Sequence, residues 1–244
     1  MERCSIWILR QAAGYVKIAA MKKNTPRRED GLSRERIIEA SIALLDSSGE
    51  SGLTFRALAE RLATGAGAIY WHVASKSDLL TAACDAIVAR TLDAAPPADA
   101  DAAPQAVVRA VALGLFDAID AHPWLGSALT NAPLQMPMVR ILERLGQQVR
   151  AMGVPEAAQL ASASALLSYV IGVSVQNAAN AQLGRQLGGD REAILSQVAQ
   201  GWAQLDAEAF PFTRSIAAQF RAHDDRADFM AGVDLILRGM ASAV

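Results

Sequence analysis

The sequence predicts an all-α protein, with a three-helix unit of helix-turn-helix form near the N-terminus and a larger helical body after it. Apolar residues recur at helical spacing through most of the 244 residues, no segment alternates as a strand would, and no internal repeat is visible. The stretch from Thr54 to Leu80 is the most specific signal: a short apolar-periodic helix, a tight break and a second short helix ending in aromatic residues. Hydrophobic residues make up 52% and aromatic ones only 5%, so the core is built from Ala, Leu, Val and Ile.

In the head, Ser33 to Ser48 places Ile37, Ser41, Leu44 and Leu45 on one face and stops at Gly49, a residue suited to the position after a helix. Thr54 is an N-cap for a helix whose buried stripe is Leu58, Ala59 and Leu62, leaving Arg56, Glu60 and Arg61 outward. Ala63-Thr64-Gly65 breaks the period. Ala66 to Trp71 then forms a helix with almost no side-chain bulk in its first turn, which lets it approach a groove closely. Ser75-Lys76-Ser77-Asp78 is a capping box that starts the next helix, running to about Asp93.

Ahead of the head, residues 1–31 read as an N-terminal extension. Arg10, Gln11 and Lys17 interrupt its apolar part and no cleavage site follows, which argues against a secretion signal. It reads either as a short amphipathic helix or as an upstream extension of a chain that starts at Met21-Lys22-Lys23. Lys22 to Arg36 is basic, either an arm along phosphates or a solvated tail.

In the body, Ala94 to Pro104 is a Pro/Ala/Asp linker, and Gln105 to Ala121 a helix through Val108, Ala112, Leu115 and Ile119 that stops at His122-Pro123. A short helical turn at Trp124 to Asn131 precedes an amphipathic helix from Met136 to Met152 through Val139, Leu142, Leu145 and Val149, closed by Gly153. The longest helix runs from Pro155 to Leu183, followed by a loop at Gly184 to Gly189. Helices at Arg191 to Leu205, Ala209 to Ala222 and Asp225 to Met240 complete the chain. The long helix sets small residues Ala157, Ala161, Ser164, Ser168, Gly172 and Ala179 beside Leu160, Leu167, Ile171 and Val175. Apolar around much of its circumference, it needs more than one neighbour, its own body and a second copy of the chain.

Charge and cysteine usage narrow the function. Met21 to Lys76 holds nine Lys/Arg against seven Asp/Glu, and Ser77 to Val244 eleven against seventeen, a basic head on an acidic body in a chain of net charge −2. That division fits phosphate contact by the head, although scattered solvated faces give the same counts. Cys4 and Cys84 make no disulfide framework, and His72, His122 and His223 stand too far apart for a metal motif, so neither metal nor cofactor is expected. No uninterrupted apolar run reaches the length of a membrane span, which favours a cytoplasmic protein.

The order, spacing and residue types from Leu32 to Val88 resemble the DNA-binding domain of the TetR family of bacterial repressors. Ala68-Ile69-Tyr70-Trp71-His72-Val73, Lys76 and Leu79-Leu80 carry the likeness, with Gly52-Leu53-Thr54-Phe55 and Leu58-Ala59 ahead without a gap. More weakly, Phe210-Pro211-Phe212 and Asp228 to Gly239 resemble the C-terminal domain of the tetracycline-repressor-like branch. The resemblance implies a DNA-binding domain over 32–88 and a ligand-binding and dimerisation domain over 89–244. It implies a homodimer through the helices near 155–183 and 225–240, two heads one helical turn apart on a palindromic double-stranded operator, and release by a small-molecule effector.

Residues matching the family's motif are expected at DNA. Thr54, Tyr70, His72 and Lys76 suit phosphate or backbone contact, Trp71 partly packing, and Thr64, Ala66, Gly67 and Ala68 the groove. In the tetracycline branch an acidic residue four past the position of Gly172 assists a magnesium-bound drug. Gln176 stands there, so a different small molecule is expected, in a cavity between the helices starting near Gln105, Met136, Pro155 and Arg191. Phe116, Trp124, Tyr169, Gln176, Trp202 and Phe210 are the candidate lining residues. An enzyme is disfavoured by the lack of a nucleophile elbow, metal motif or phosphate loop, and the alternative is a helical interaction protein with a vestigial head.

Overall fold

Ser33 starts the first helix by accepting a hydrogen bond on its hydroxyl from the Arg36 amide at 3.2 Å, and α1 (Arg34–Gly52) follows. In the computed structural model the described residues are 32–96, 102–131, 135–188 and 190–241, so the expectations for residues 1–31 lie outside them. Ile37, Ser41 and Leu45 are buried along α1, and the Ser41 hydroxyl is satisfied by the Ile37 carbonyl at 2.7 Å. Gly49, at φ +62, interrupts the helix where the sequence places its end.

α2 (Phe55–Arg61), α3 (Ala66–Tyr70) and α4 (Lys76–Ala94) complete the head. Leu58, Ile69 and Leu79, one from each of these helices, are fully buried beneath it together with Leu53 from the turn after α1. At 19 residues, α4 is long enough to serve two layers, packing on α1 and also on α5 (Pro104–Ala121), α6 (Pro123–Asn131) and α7 (Met136–Ala151). The described residues from Ser33 onward accordingly form one compact unit.

The body is organised on α8 (Glu156–Leu187), 32 residues and roughly 48 Å long at 1.5 Å per residue. It contacts α5, α6, α7 and α11 (Asp225–Ala241), while α9 (Arg191–Ala203) and α10 (Pro211–Phe220) pack on each other. Val108, Ala112, Leu115 and Ile119 of α5 are fully buried, as the spacing requires. The ring of Phe229 on α11 stacks between Phe116 of α5 at 4.7 Å and Tyr169 of α8 at 5.8 Å. Among the described residues there is no strand.

Four expectations need correction. Gly184 to Leu187 continue α8 rather than forming a loop, which ends instead at Gly188 with φ +62, because one internal glycine costs a helix only about 1 kcal/mol. Val139 is exposed, and Ile141, Leu145 and Val149 form the buried seam of α7. Trp71 packs on nothing, with 90% of its surface exposed. By length and composition α8 also reaches what a membrane crossing requires, with charges too sparse to lower its average, although no single run is free of polar residues.

Candidate nucleic-acid interface

The supporting helix α2 begins at Thr54, whose hydroxyl oxygen accepts from the Ala57 amide at 3.1 Å, leaving the hydroxyl hydrogen for a partner outside the chain. Arg56 and Glu60 pair at 3.0 Å along its exposed face. The break after α2 is made by Ala63, held at φ +50, while Gly65 is extended at φ −83 and acts as N-cap of α3. A glycine would be expected at the left-handed position. Two backbone bonds hold the turn, from Ala63 N to Glu60 O at 3.3 Å and from Thr64 N to Ala59 O at 3.0 Å.

Ile69 is the fully buried residue of α3, and the helix's remaining side chains are exposed or half-buried. Thr64, Ala66 and Ala68 are half-buried, and Gly67 is exposed with open space where a Cβ would sit. Tyr70 lies flat on Phe55, with ring centroids 4.1 Å apart and planes 17° from parallel, so the end of α3 is braced by the start of α2. Phe55 belongs to this platform, and its aromatic type beside the Thr54 cap was the available signal. His72 is exposed and lies close enough to Glu35 to act on it. The Glu35 carboxyl is held below its usual range by its own backbone N–H first, then by Ser33, with Arg34 and His72 adding attraction.

The N-terminus of α4 closes the surface. Ser75 accepts from the Asp78 amide at 3.0 Å, forming the cap, and the Lys76 ammonium donates to the Glu50 carbonyl. Thr54, Gly67, Tyr70, Trp71, His72 and Lys76 are thus exposed residues of three consecutive elements and their turns. Hydroxyl, imidazole and ammonium groups of this kind position a duplex through its backbone.

The six candidate ligand-lining residues do not share one site. Phe116 is buried and Tyr169 half-buried, both against Phe229; Trp124 is buried with its indole on Asp46; Trp202 lies tilted against Phe220 at 4.4 Å; and Gln176 and Phe210 are exposed. None lines either of two cavities, one of about 150 Å³ between α4, α6 and α7 and one of about 470 Å³ between α9 and α10. Among the described residues no group of three or more His, Cys, Asp or Glu is placed to hold a metal.

Residues 37–83, from α1 to the middle of α4, match the family described as bacterial regulatory proteins, tetR family. The transcriptional regulator SCO7222, a TetR from Streptomyces coelicolor, is 51% identical, with a TM-score of 0.80 over 87% of this chain and 99% of its own. The chain belongs to the TetR family. It is a DNA-binding transcriptional regulator. An HTH-type transcriptional regulator of Saccharopolyspora erythraea is 31% identical over 217 residues, 86% of this chain and 85% of the relative. The class D tetracycline repressor protein of Escherichia coli is 43% identical over 67 residues, 28% of this chain and 31% of the repressor. Kinship across the TetR body is therefore carried by the first two.

Proposed function

We propose that this chain is a repressor that binds a palindromic operator as a homodimer and is released by a small-molecule effector. The observation that carries the reading is the uncovered apolar face of α8 and α11. Leu160 is 72% and Leu235 63% exposed, and Ala157, Ala161, Ser168, Gly172 and Ala179 are exposed with them. Small residues let a second helix approach closely, and a twofold contact buries the same patch on both copies. Pairing through α8 and α11 presents two heads roughly 34–36 Å apart, one turn of a duplex.

In this reading residues 32–88 are the DNA-binding domain and 89–244 the effector and dimerisation domain. Thr54, Tyr70, His72 and Lys76 hold phosphates, Trp71 lies against the duplex, and Thr64, Ala66, Gly67 and Ala68 enter the major groove. The open space at Gly67 supports close approach, since nothing in the chain's own packing asks for a glycine there. The chain has no catalytic role and works in the cytoplasm, where bacterial DNA is found. The name of the class D tetracycline repressor supports repression over activation.

Sedimentation and a gel shift test the proposal together. The wild type is expected to sediment as a dimer and to retard DNA from upstream of its own coding sequence in preference to random DNA. Leu160→Glu is expected to sediment as a folded monomer with operator affinity reduced at least tenfold. A wild-type monomer, or equal affinity for operator and random DNA, overturns it.

A further inference from the structure

The cavity of about 150 Å³ opens beside the first turns of α4. Ser77, Thr81 and Cys84 line it from one face of α4, at the spacing that stacks side chains along a helix; Ala128 and Leu129 line it from α6, and Gln135 from the turn before α7. Exposed Ser77 marks the mouth, and Cys84 and Leu129, with 2% and 1% of their surfaces accessible, mark the floor. The Thr81 hydroxyl donates to the Gln135 side-chain oxygen, so one wall carries hydroxyl and carboxamide groups while the floor is apolar. Among the described residues no Asp, Glu, Lys, Arg or His lines the space.

We propose that this cavity is the effector site, and that it takes a neutral molecule of one ring bearing a hydroxyl or carbonyl group. The proposal rests on the reading of the chain as an effector-released repressor and names its ligand class. A cavity of about 150 Å³ holds a benzene-sized ligand, so a fused two-ring molecule does not fit. A carboxylate or ammonium ligand would be buried without a counter-charge, which costs more than a single hydrogen bond returns.

The same helices join the cavity to the head. The Trp124 indole on α6 donates to Asp46 Oδ1 at 2.7 Å, and the Ser127 hydroxyl donates to Glu50 Oε1 at 3.0 Å, both on α1. The Glu50 carbonyl in turn accepts from Lys76 at the start of α4. Glu50 is therefore held by α6 through its carboxylate and by α4 through its carbonyl, and the cavity lies between those two helices. A ring seated there touches α4 and α6 at once and so acts on the Ser127–Glu50 and Lys76–Glu50 bonds. The ligand shifts the head only in so far as it binds one arrangement of these helices more tightly than the one that grips DNA.

Calorimetry with full-length protein decides the point, using phenol, benzoate and 2-naphthol as probes. Phenol is expected to bind at least tenfold more tightly than either of the others and to weaken operator binding in a gel shift. Thr81→Val is expected to lose phenol affinity at least fivefold while binding toluene as well as the wild type does, an outcome that a misfolded variant cannot give. Ala128→Phe, which fills the space, is expected to abolish phenol binding. If phenol does not bind, or binds both variants as it does the wild type, the cavity proposal falls. Operator binding by the untreated protein would leave repression standing in that event, and its absence would sink repression while the calorimetry still judged the cavity.

Discussion

Asp46 of α1 accepts the indole N–H of Trp124 at 2.7 Å, and the same carboxylate oxygen lies 2.7 Å from Nδ1 of His122. One side chain of the head thus holds both residues that flank the start of α6. Trp124 is 7% exposed, so removing its acceptor leaves a donor without water. Asp46→Ala is expected to destabilise the protein by about 1–3 kcal/mol, and Asp46→Asn, which keeps an acceptor oxygen, by less. Urea denaturation followed by tryptophan fluorescence measures both.

The head separates stability from binding at two adjacent aromatic residues. Trp71 is 90% exposed, so Trp71→Ala is expected to change stability by less than about 0.5 kcal/mol while lowering operator affinity at least tenfold. Tyr70→Ala also loses the stack on Phe55 and is expected to cost about 0.5–1.5 kcal/mol of stability. Lys76→Ala is expected to weaken binding nearly uniformly across sequences and to reduce the salt slope by about one. A salt titration that leaves the slope unchanged removes Lys76 from the phosphate contacts.

What could be read from the residues, and what could not, follows from the range of the forces involved. Caps and breaks are local, so Thr54, Ser75, Gly49 and Gly153 marked their boundaries correctly. Spacing also gave the buried stripe of α5, because four apolar residues on one face admit one orientation. In α7 two apolar seams compete, and which of Val139 and Ile141 turns inward is decided by α4 and α8, not by the helix itself. The candidate ligand residues are scattered for the same reason. Aromatic type does not distinguish a ring that lines a cavity from one that fills it, and Phe116 and Tyr169 meet Phe229 from a distant helix. The 150 Å³ cavity is bounded by side chains of mixed type from α4 and from α6 and α7 farther along the chain, which carry no signal in a one-dimensional pattern.

The turn between α2 and α3 holds a correctable strain. Ala63 is exposed at φ +50, a conformation that costs a residue with a Cβ about 1–2 kcal/mol. Glycine avoids that cost but loses more chain entropy on folding, by about 0.4–1 kcal/mol. Ala63→Gly is therefore expected to raise stability by about 0.5–1 kcal/mol and to raise the melting temperature without altering α3. A lower melting temperature would show that the turn is not strained.

Burial pushes the Cys84 thiol up to about 12, with Asp85 adding repulsion, against 9.0 for the free group. The folded protein keeps this proton where the unfolded chain releases it, so the stabilisation is complete below about pH 9 and is lost as pH rises from there towards 12. Urea midpoints at pH 8, 10 and 11 are expected to fall more steeply in the wild type than in Cys84→Ala. In a Cys4→Ser background a bulky thiol reagent is expected to label Cys84 at pH 8 only after unfolding.

Gly232 is required by a ring rather than by its own backbone. A Cβ there would stand 1.8 Å from Oη and 2.3 Å from Cζ of Tyr169. The ring cannot easily retreat, because its hydroxyl donates to the Phe229 carbonyl at 3.1 Å and its face stacks on Phe229. Gly232→Ala is expected to displace the half-buried Tyr169 ring and to cost about 1 kcal/mol, the low end of the range for overpacking. In a Tyr169→Leu background the clash is gone, so the same substitution is expected to cost less than about 0.5 kcal/mol. Equal costs in both backgrounds would place the constraint elsewhere in α11.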